Sequence, residues 1–438
     1  ETGQLKRACS AVEEDHSPLQ IQFRGKSRDF NLSLLPIAAN SPPFAPDLTV
    51  IVDGEAQAIR PHHFLYEGYA LGDPSSSVYG TLFDGVFDGN IHLSNGNIYT
   101  VERTSKFYNE DLDLYSIVLY HSGIRHDRKA NSNRKSKPND SGEKMKENNE
   151  TEETEKQEEG EQLVNLTGCL NSKYHDLVDY LDRKAHEDDD PEKLMRKKTC
   201  TLHLRADSKL YQRILRNEGN NDPARTCEEI ISMFYIHMRT VNDIFESTTF
   251  DEIGPVNFIV KQISIDTGKG KPIDQVESTE PADIINFLNK HTIGDHSEFC
   301  LYYVFTYTDF GDEDLGIAFE AASNIDNQGG LCSSFMPFNT EGRWKNITKN
   351  TGVITLNNGG HRLSSRETQL TFAHELGHSV GAPHDDKKTK RRHEFLMAPV
   401  ASVLREFPNS AKFSKHSREY ITNVVHALQR YEPFSPTG

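Results

Sequence analysis

The sequence predicts an all-β N-terminal domain followed by an α/β domain built on a twisted, mostly parallel sheet with helices. Three observations carry this expectation. Short runs of alternating apolar and polar residues, broken by turn residues, fill the region 19–125. A charged block almost without apolar residues, 126–162, then interrupts the chain. From Cys200 onward, strand-like and helix-like segments alternate, as they do where helices cover a parallel sheet.

In the first region, Leu19-Gln20-Ile21-Gln22-Phe23 and Leu48-Thr49-Val50-Ile51-Val52 alternate as half-buried strands do. The sharpest hairpin signal joins Asn90-Ile91-His92-Leu93 to Asn97-Ile98-Tyr99-Thr100-Val101 through Ser94-Asn95-Gly96, where Asn-Gly supplies the positive φ angles of a tight turn. The block that follows is basic at Arg128, Lys129, Arg134, Lys135 and Lys137 and acidic from Glu143 to Glu161. It has too little apolar surface to offset the entropy of ordering, so a disordered linker is expected. Beyond it, Leu202-His203-Leu204, Val256 to Ile265 and Leu301 to Tyr307 read as strands. A helix from Thr226 lines up Ile230, Phe234, Met238, Val241 and Phe245, and a second helix is expected near Ile284 to Leu288.

At 438 residues the chain has room for two or three compact units. Its net charge of −17, with 26% charged residues, argues against a nucleic-acid surface. No apolar run reaches the roughly 18 residues that a membrane-spanning helix needs. Glu1-Thr2-Gly3 and Thr437-Gly438 read as cloning remnants, so the natural ends are expected elsewhere. Glycosylation sequons occur at Asn31, Asn139, Asn149, Asn165 and Asn346. With six cysteines and no CxxC pair, they point to the secretory pathway and an extracellular or cell-surface location.

The chemistry is concentrated in His374-Glu375-Leu376-Gly377-His378-Ser379-Val380-Gly381-Ala382-Pro383-His384-Asp385. On a helix, His374 and His378 share one face, so both imidazoles can reach one ion, with Glu375 beside them. Ser364 and Glu367 form a capping box ahead of this helix, and Leu370, Ala373, Leu376 and Val380 give it a face to bury. Gly381 can end the helix with a positive φ and turn the chain back, delivering His384 as a third nitrogen ligand. Three protein nitrogens leave zinc an open position for water, the hallmark of a catalytic site with one Zn2+. Zinc lowers the pKa of water to about 7 and polarises the scissile carbonyl. Glu375 would serve as general base and then general acid. Other histidines, such as His237 and His62-His63, read as surface or packing residues.

This extended motif is the zinc signature of the metzincins, and Asp385 after it resembles the adamalysin branch, which includes the ADAM proteases. Stretches across nearly the whole chain are similar to α-secretase-type ADAM sheddases: Lys6-Arg7-Ala8, Arg28 to Leu32, Tyr66-Glu67-Gly68, Phe87-Asp88-Gly89, Tyr303 to Thr306 and Asn350 to Thr355. The resemblance implies a pro-domain over 4–125, the linker over 126–162, a switch and activation segment over 163–198, and a zinc metalloprotease domain over 199–433. It further implies shedding of membrane-protein ectodomains, Notch-type receptors among them, through their extended peptide segments. Met397 sits where the family's methionine turn is expected. Leu315-Gly316-Ile317-Ala318 looks like the substrate-edge strand, which can pair with an extended peptide. The pocket beside the zinc is expected to be walled by Ala398, Pro399 and Val400.

Cys169 resembles the family's cysteine switch, whose thiolate can occupy the zinc's open position; a structural disulfide is the alternative. Cys200 and Cys300 match a family disulfide. Cys332 matches a cysteine whose family partner lies further downstream, a Cys227 to Cys332 bridge being the other option, and Cys9 is unassigned. The family's activator is a proprotein convertase, expected to cut near Lys198, although Arg196-Lys197-Lys198 lacks the terminal arginine. The competing reading is a catalytically silent metzincin-fold adhesion or binding module, which the presence of Glu375 and all three histidines opposes.

Overall fold

A computed structural model describes residues 18–121 and 198–430, apart from 26–27, 38–40, 59–62, 108–115, 251–252, 270–282, 312–313, 323–328, 341–342, 386–394 and 400–408. In chain order its strands are β1 (Leu19–Arg24), β2 (Asp29–Pro36), β3 (Phe44–Val52), β4 (Glu55–Gln57), β5 (Leu65–Ala70), β6 (Asp73–Phe83), β7 (Val86–His92), β8 (Ile98–Arg103) and β9 (Ser116–His121) in the first part. The second part holds β10 (Lys198–Ala206), β11 (Val256–Ile265), β12 (Leu301–Thr306), β13 (Gly316–Ala318), β14 (Met336–Thr340), β15 (Arg343–Ile347) and β16 (Thr351–Thr355). Its helices are α1 (Ser208–Asn217), α2 (Pro223–Glu246), α3 (Ile284–His291), α4 (Ser365–Ser379) and α5 (Lys415–Arg430).

Beside a separate antiparallel pair of β14 with β15, two seven-stranded sheets organise most of these elements. One is antiparallel throughout, in the order β1-β2-β5-β6-β7-β8-β9. The expected hairpin closes it between β7 and β8: Leu93 N–H donates to Asn97 O at 2.8 Å, and Gly96 has a φ of 86°. The other sheet runs β13-β16-β12-β10-β11-β3-β4. Its β16, β12, β10, β11 and β3 are mutually parallel, and β13 and β4 close the two edges antiparallel. The α/β architecture with a mostly parallel sheet and a helix carrying the histidines is the one the sequence predicts.

The sequence pattern does not show that β3 and β4 leave the sheet of their neighbours. Residues 44–57 instead extend the α/β sheet beside β11, with Val50 opposite Ile263 and Val52 opposite Ile265. Alternation identifies a strand; it is silent about which strand will pair with it. As a result the largest apolar core is shared. Ile37, Phe44, Val50, Phe64, Leu65, Tyr79 and Phe83 pack in one cluster with Leu202, Phe234, Phe305, Phe372 and Met397.

Helix α2 starts at an Asp222 cap with Pro223 in its first turn, and its stripe of Ile230, Phe234, Met238, Val241 and Phe245 is buried against that core. Cys200 and Cys300 form a disulfide between the start of β10 and the residue before β12. Cys227 is a free, partly buried thiol, so the Cys227–Cys332 option is not realised; Cys332 Sγ instead lies 3.8 Å from Cys300 Sγ. Cys9 lies outside the described residues.

Candidate active site

Helix α4 begins with the capping box read from the sequence. Ser364 Oγ accepts from Glu367 N–H at 3.3 Å, and Glu367 Oε2 accepts from Ser364 N–H at 2.7 Å. Its buried side carries Phe372, Ala373 and Leu376 against the core. The helix ends where Gly381 takes a φ of 103°, and Ala382 N–H bonds back to Gly377 O at 2.8 Å. This reversal brings His384 over the helix.

The three imidazoles converge. His374, His378 and His384 place their Nε2 atoms 3.1 Å from one another in all three pairings. Two of the rings are fixed from behind, since Nδ1 of His374 donates to Leu396 O at 2.7 Å and Nδ1 of His378 to Ala382 O at 2.8 Å. With the proton on Nδ1, Nε2 is a lone pair in each, so these nitrogens face each other as acceptors. A cation resolves that arrangement. An ion about 2.05 Å from each nitrogen in tetrahedral geometry sets them roughly 3.3 Å apart, close to the spacing seen. Burial, and then the neighbouring histidines, pushes His378 down to about 3, and burial followed by the charge of His384 takes His374 to about 4. Both rings are therefore held neutral, the form that binds a metal.

Glu375 lies on the inner side of the same turn and is 6% exposed. Burial pushes its carboxyl up to about 8. A divalent ion at the histidines would pull it back toward the carboxylate, since a bound cation is the largest local charge in such a site. Strand β13 passes directly beside it: a Cβ on Gly316 would sit 2.8 Å from Glu375 Cγ and 3.0 Å from Thr371 Cγ2. Only glycine lets the sheet edge come this close. The other three predicted edge residues follow the same path, with Ile317 opposite Val353 and Ala318 opposite Gly352 on β16, while Leu315 is buried.

Met397 lies under the histidines and is fully buried, its sulfur close enough to α4 that a Cβ on Gly377 would meet it at 2.5 Å. Asp385 ties this turn to the third histidine. Its N–H donates to Met397 O at 2.8 Å, and its Oδ1 accepts from Ser414 Oγ at 2.5 Å and Ser417 Oγ at 3.2 Å. The sequence does not single out the two serines; Ser414 just before α5 and Ser417 in its first turn carry no local signal for a partner 29 and 32 residues upstream. Ala398 is buried and Pro399 partly so, while Val400 and Cys169 lie outside the described residues. His237, read as a packing or surface residue, is buried against Phe305.

A match to metallo-peptidase family M12 runs over residues 196–414, half of the chain and the half that holds the three histidines. The chain belongs to this family. Over 98% of its length it is 35% identical to the disintegrin and metalloproteinase domain-containing protein 10 homolog of Caenorhabditis elegans, of which it covers 47%. It is 28% identical to disintegrin and metalloproteinase domain-containing protein 10 of Xenopus laevis and 26% identical to that of Homo sapiens, over 87% of the chain in each case and 47% and 46% of those proteins. The ADAM resemblance read from the motifs is therefore upheld along most of the sequence. The chain spans about half the length of these relatives. The M12 family is zinc-dependent, and the three-histidine group suits that ion.

Proposed function

We propose that the chain is a latent zinc metalloendopeptidase that cleaves extended segments of membrane-protein ectodomains, Notch-type receptors among them. The observation that carries this reading is the convergence of three Nε2 atoms beside the buried Glu375, at an open sheet edge. His374, His378 and His384 would hold the zinc, which would supply Lewis-acid chemistry toward the scissile carbonyl and the acidity of a water with a pKa of about 7. The chain's own residues do the rest. Strand β13 offers its free edge to the peptide backbone and so aligns the scissile bond along the cleft. Glu375 accepts the proton of the attacking water and returns it to the leaving amine. Leu396 O and Ala382 O hold two of the rings in the required tautomer. Asp385 fixes the loop that presents His384.

On this reading residues 4–125 are a pro-region, 126–162 a linker, 163–198 the segment that carries the Cys169 switch and is cut by a convertase, and 199–433 the protease domain. Lys198 is the first residue of β10, opposite Val256, so a cut there would fall where the described chain enters the folded sheet. The Cys200–Cys300 disulfide and the exposed sequon residues Asn31 and Asn346 support passage through the secretory pathway to the cell surface. Asn139, Asn149 and Asn165 lie outside the described residues.

The test is cleavage of a broad fluorogenic peptide before and after limited trypsin treatment of the 126–198 region, with and without chelator. Activity that appears on cutting and vanishes with chelator is expected. Stoichiometric zinc with no activity in either state would shift the reading to a silent metzincin-fold binding module.

A further inference from the structure

The strongest unassigned feature is a buried cluster of charges at the N-terminal end of α4, remote from the histidines. Glu102 Oε1 accepts from the N–H of Ser365 at 2.9 Å and from its Oγ at 2.6 Å. Lys106 Nζ lies 3.4 Å from the same hydroxyl and donates to Asp88 at 2.9 Å. The Arg103 guanidinium pairs with Asp88 and, on α2, with Glu229, which Arg225 also holds at 2.8 Å. Arg225 in turn lies over the ring of Phe83 at 3.5 Å. A little further along the two helices, Asn90 Nδ2 donates to Thr240 Oγ1 at 3.0 Å and to Gln369 Oε1 at 3.3 Å.

Asp88, Glu102, Arg103, Lys106 and Glu229 are each less than a tenth exposed. Asp88 and Glu102 are neutralised by Arg103 and Lys106 within the first part and Glu229 by Arg225 within α2, while the Arg103–Glu229 and Arg225–Asp84 pairs and the bonds of Ser365 to Glu102 exist only while the two parts are together. Burial works against Asp88, yet Lys106 and Arg103 outweigh it and hold its carboxyl below the usual range. Glu102 also meets a helix N-terminus, where free N–H groups and the helix dipole favour an anion. Strand β3 on β11 and the shared apolar core supply affinity. Buried charges that lose their partners are costly, which fixes the docked geometry and slows separation.

We propose that this cluster is a clamp by which residues 19–121 grip the N-terminal end of the metal helix and stay on the protease domain after the chain between 122 and 197 is cut, through contacts that do not involve the metal. It rests on the reading of these residues as a pro-region. Cutting and release then become separate steps, the second governed by the clamp.

The experiment uses the full chain with one protease site placed within 126–162, in the native background and with Cys169→Ser. After cutting, the two pieces are followed by size exclusion at low concentration. They are expected to co-elute in both backgrounds, and Glu102→Gln with Lys106→Met should speed their separation by about tenfold or more. Asn90→Ala, which removes the two buried hydrogen bonds to Thr240 and Gln369 and no charge, gives a milder acceleration and serves if the double variant folds poorly. Cut Cys169→Ser pieces that separate as fast as the clamp variants would overturn the proposal. Peptide cleavage by the uncut chain reads the pro-region assignment separately: an uncut chain as active as the separated protease removes that assignment, whatever the pieces do on the column.

Discussion

The two ends of α4 solve opposite problems. At its C-terminal end, His374 and His378 project with Glu375 between them and His384 folds back over them; the ligands are only partly buried and close in sequence. At its N-terminal end, Ser365 and Gln369 meet Glu102, Lys106 and Asn90, groups that are fully enclosed and more than 250 residues away along the chain. On the proposed reading one end serves exchange with substrate and ion, the other permanence. The difference teaches that chemistry and stability on a single helix can be separated by about three turns, and that substitutions at the two ends should fail in different ways.

The largest contrast is expected from His384→Ala. It removes a ligand from an exposed position, so zinc binding and peptide cleavage should be lost while the unfolding free energy of the metal-free chain changes by less than about 1 kcal/mol. A large loss of stability without metal would erase the contrast. At the other end, Arg103→Met leaves Glu229 and Asp88 each short of a partner in a closed site. A cost of about 3 kcal/mol in denaturant unfolding is expected, with the zinc content unchanged. An exchange that proves silent in unfolding would mean the clamp adds nothing to the fold.

A smaller effect concerns pH. His203 packs against His296, Phe299 and Tyr302 beside the disulfide, and burial, then the charges of His296 and Arg205, pushes it down to about 3. The unfolded chain takes up a proton at this residue below about pH 6.5 that the folded chain refuses. Stability from this group is therefore present above pH 6.5 and is lost as pH falls toward 3, by at most about 1.4 kcal/mol per pH unit. His203→Gln should flatten the fall of the unfolding midpoint between pH 6.5 and 5. An unchanged slope would show that other groups carry it.

Legibility in the sequence follows the same division. The metal end spans twelve consecutive residues, so its geometry follows from helix periodicity and one glycine, and the capping box is equally local. Several strands of both sheets, such as β1, β3, β8, β11 and β12, are readable from local alternation or apolar runs for the same reason. What was not readable is pairing at a distance. Strand β3 aligns with β11 some 200 residues later, and nothing in Leu48 to Val52 distinguishes that partner from β2 or β5. The clamp is hidden for a further reason. Asp88, Glu102, Arg103 and Lys106 look like the solvated face of a strand and a turn, and their burial becomes tolerable through their own mutual pairing together with Glu229 on α2 and the N–H of Ser365 on α4. The Ser414–Asp385 contact, too, is fixed by tertiary packing alone.

The most direct test of the central claim is Glu375→Ala in the cut, chelator-free protein, with zinc content and peptide cleavage measured on the same sample. The account predicts one zinc per chain, as in the native protein, and a fall in cleavage of at least about a hundredfold. Undiminished cleavage with zinc in place would contradict the assignment of Glu375 as the base, and with it the reading of this cleft as the site of peptide hydrolysis.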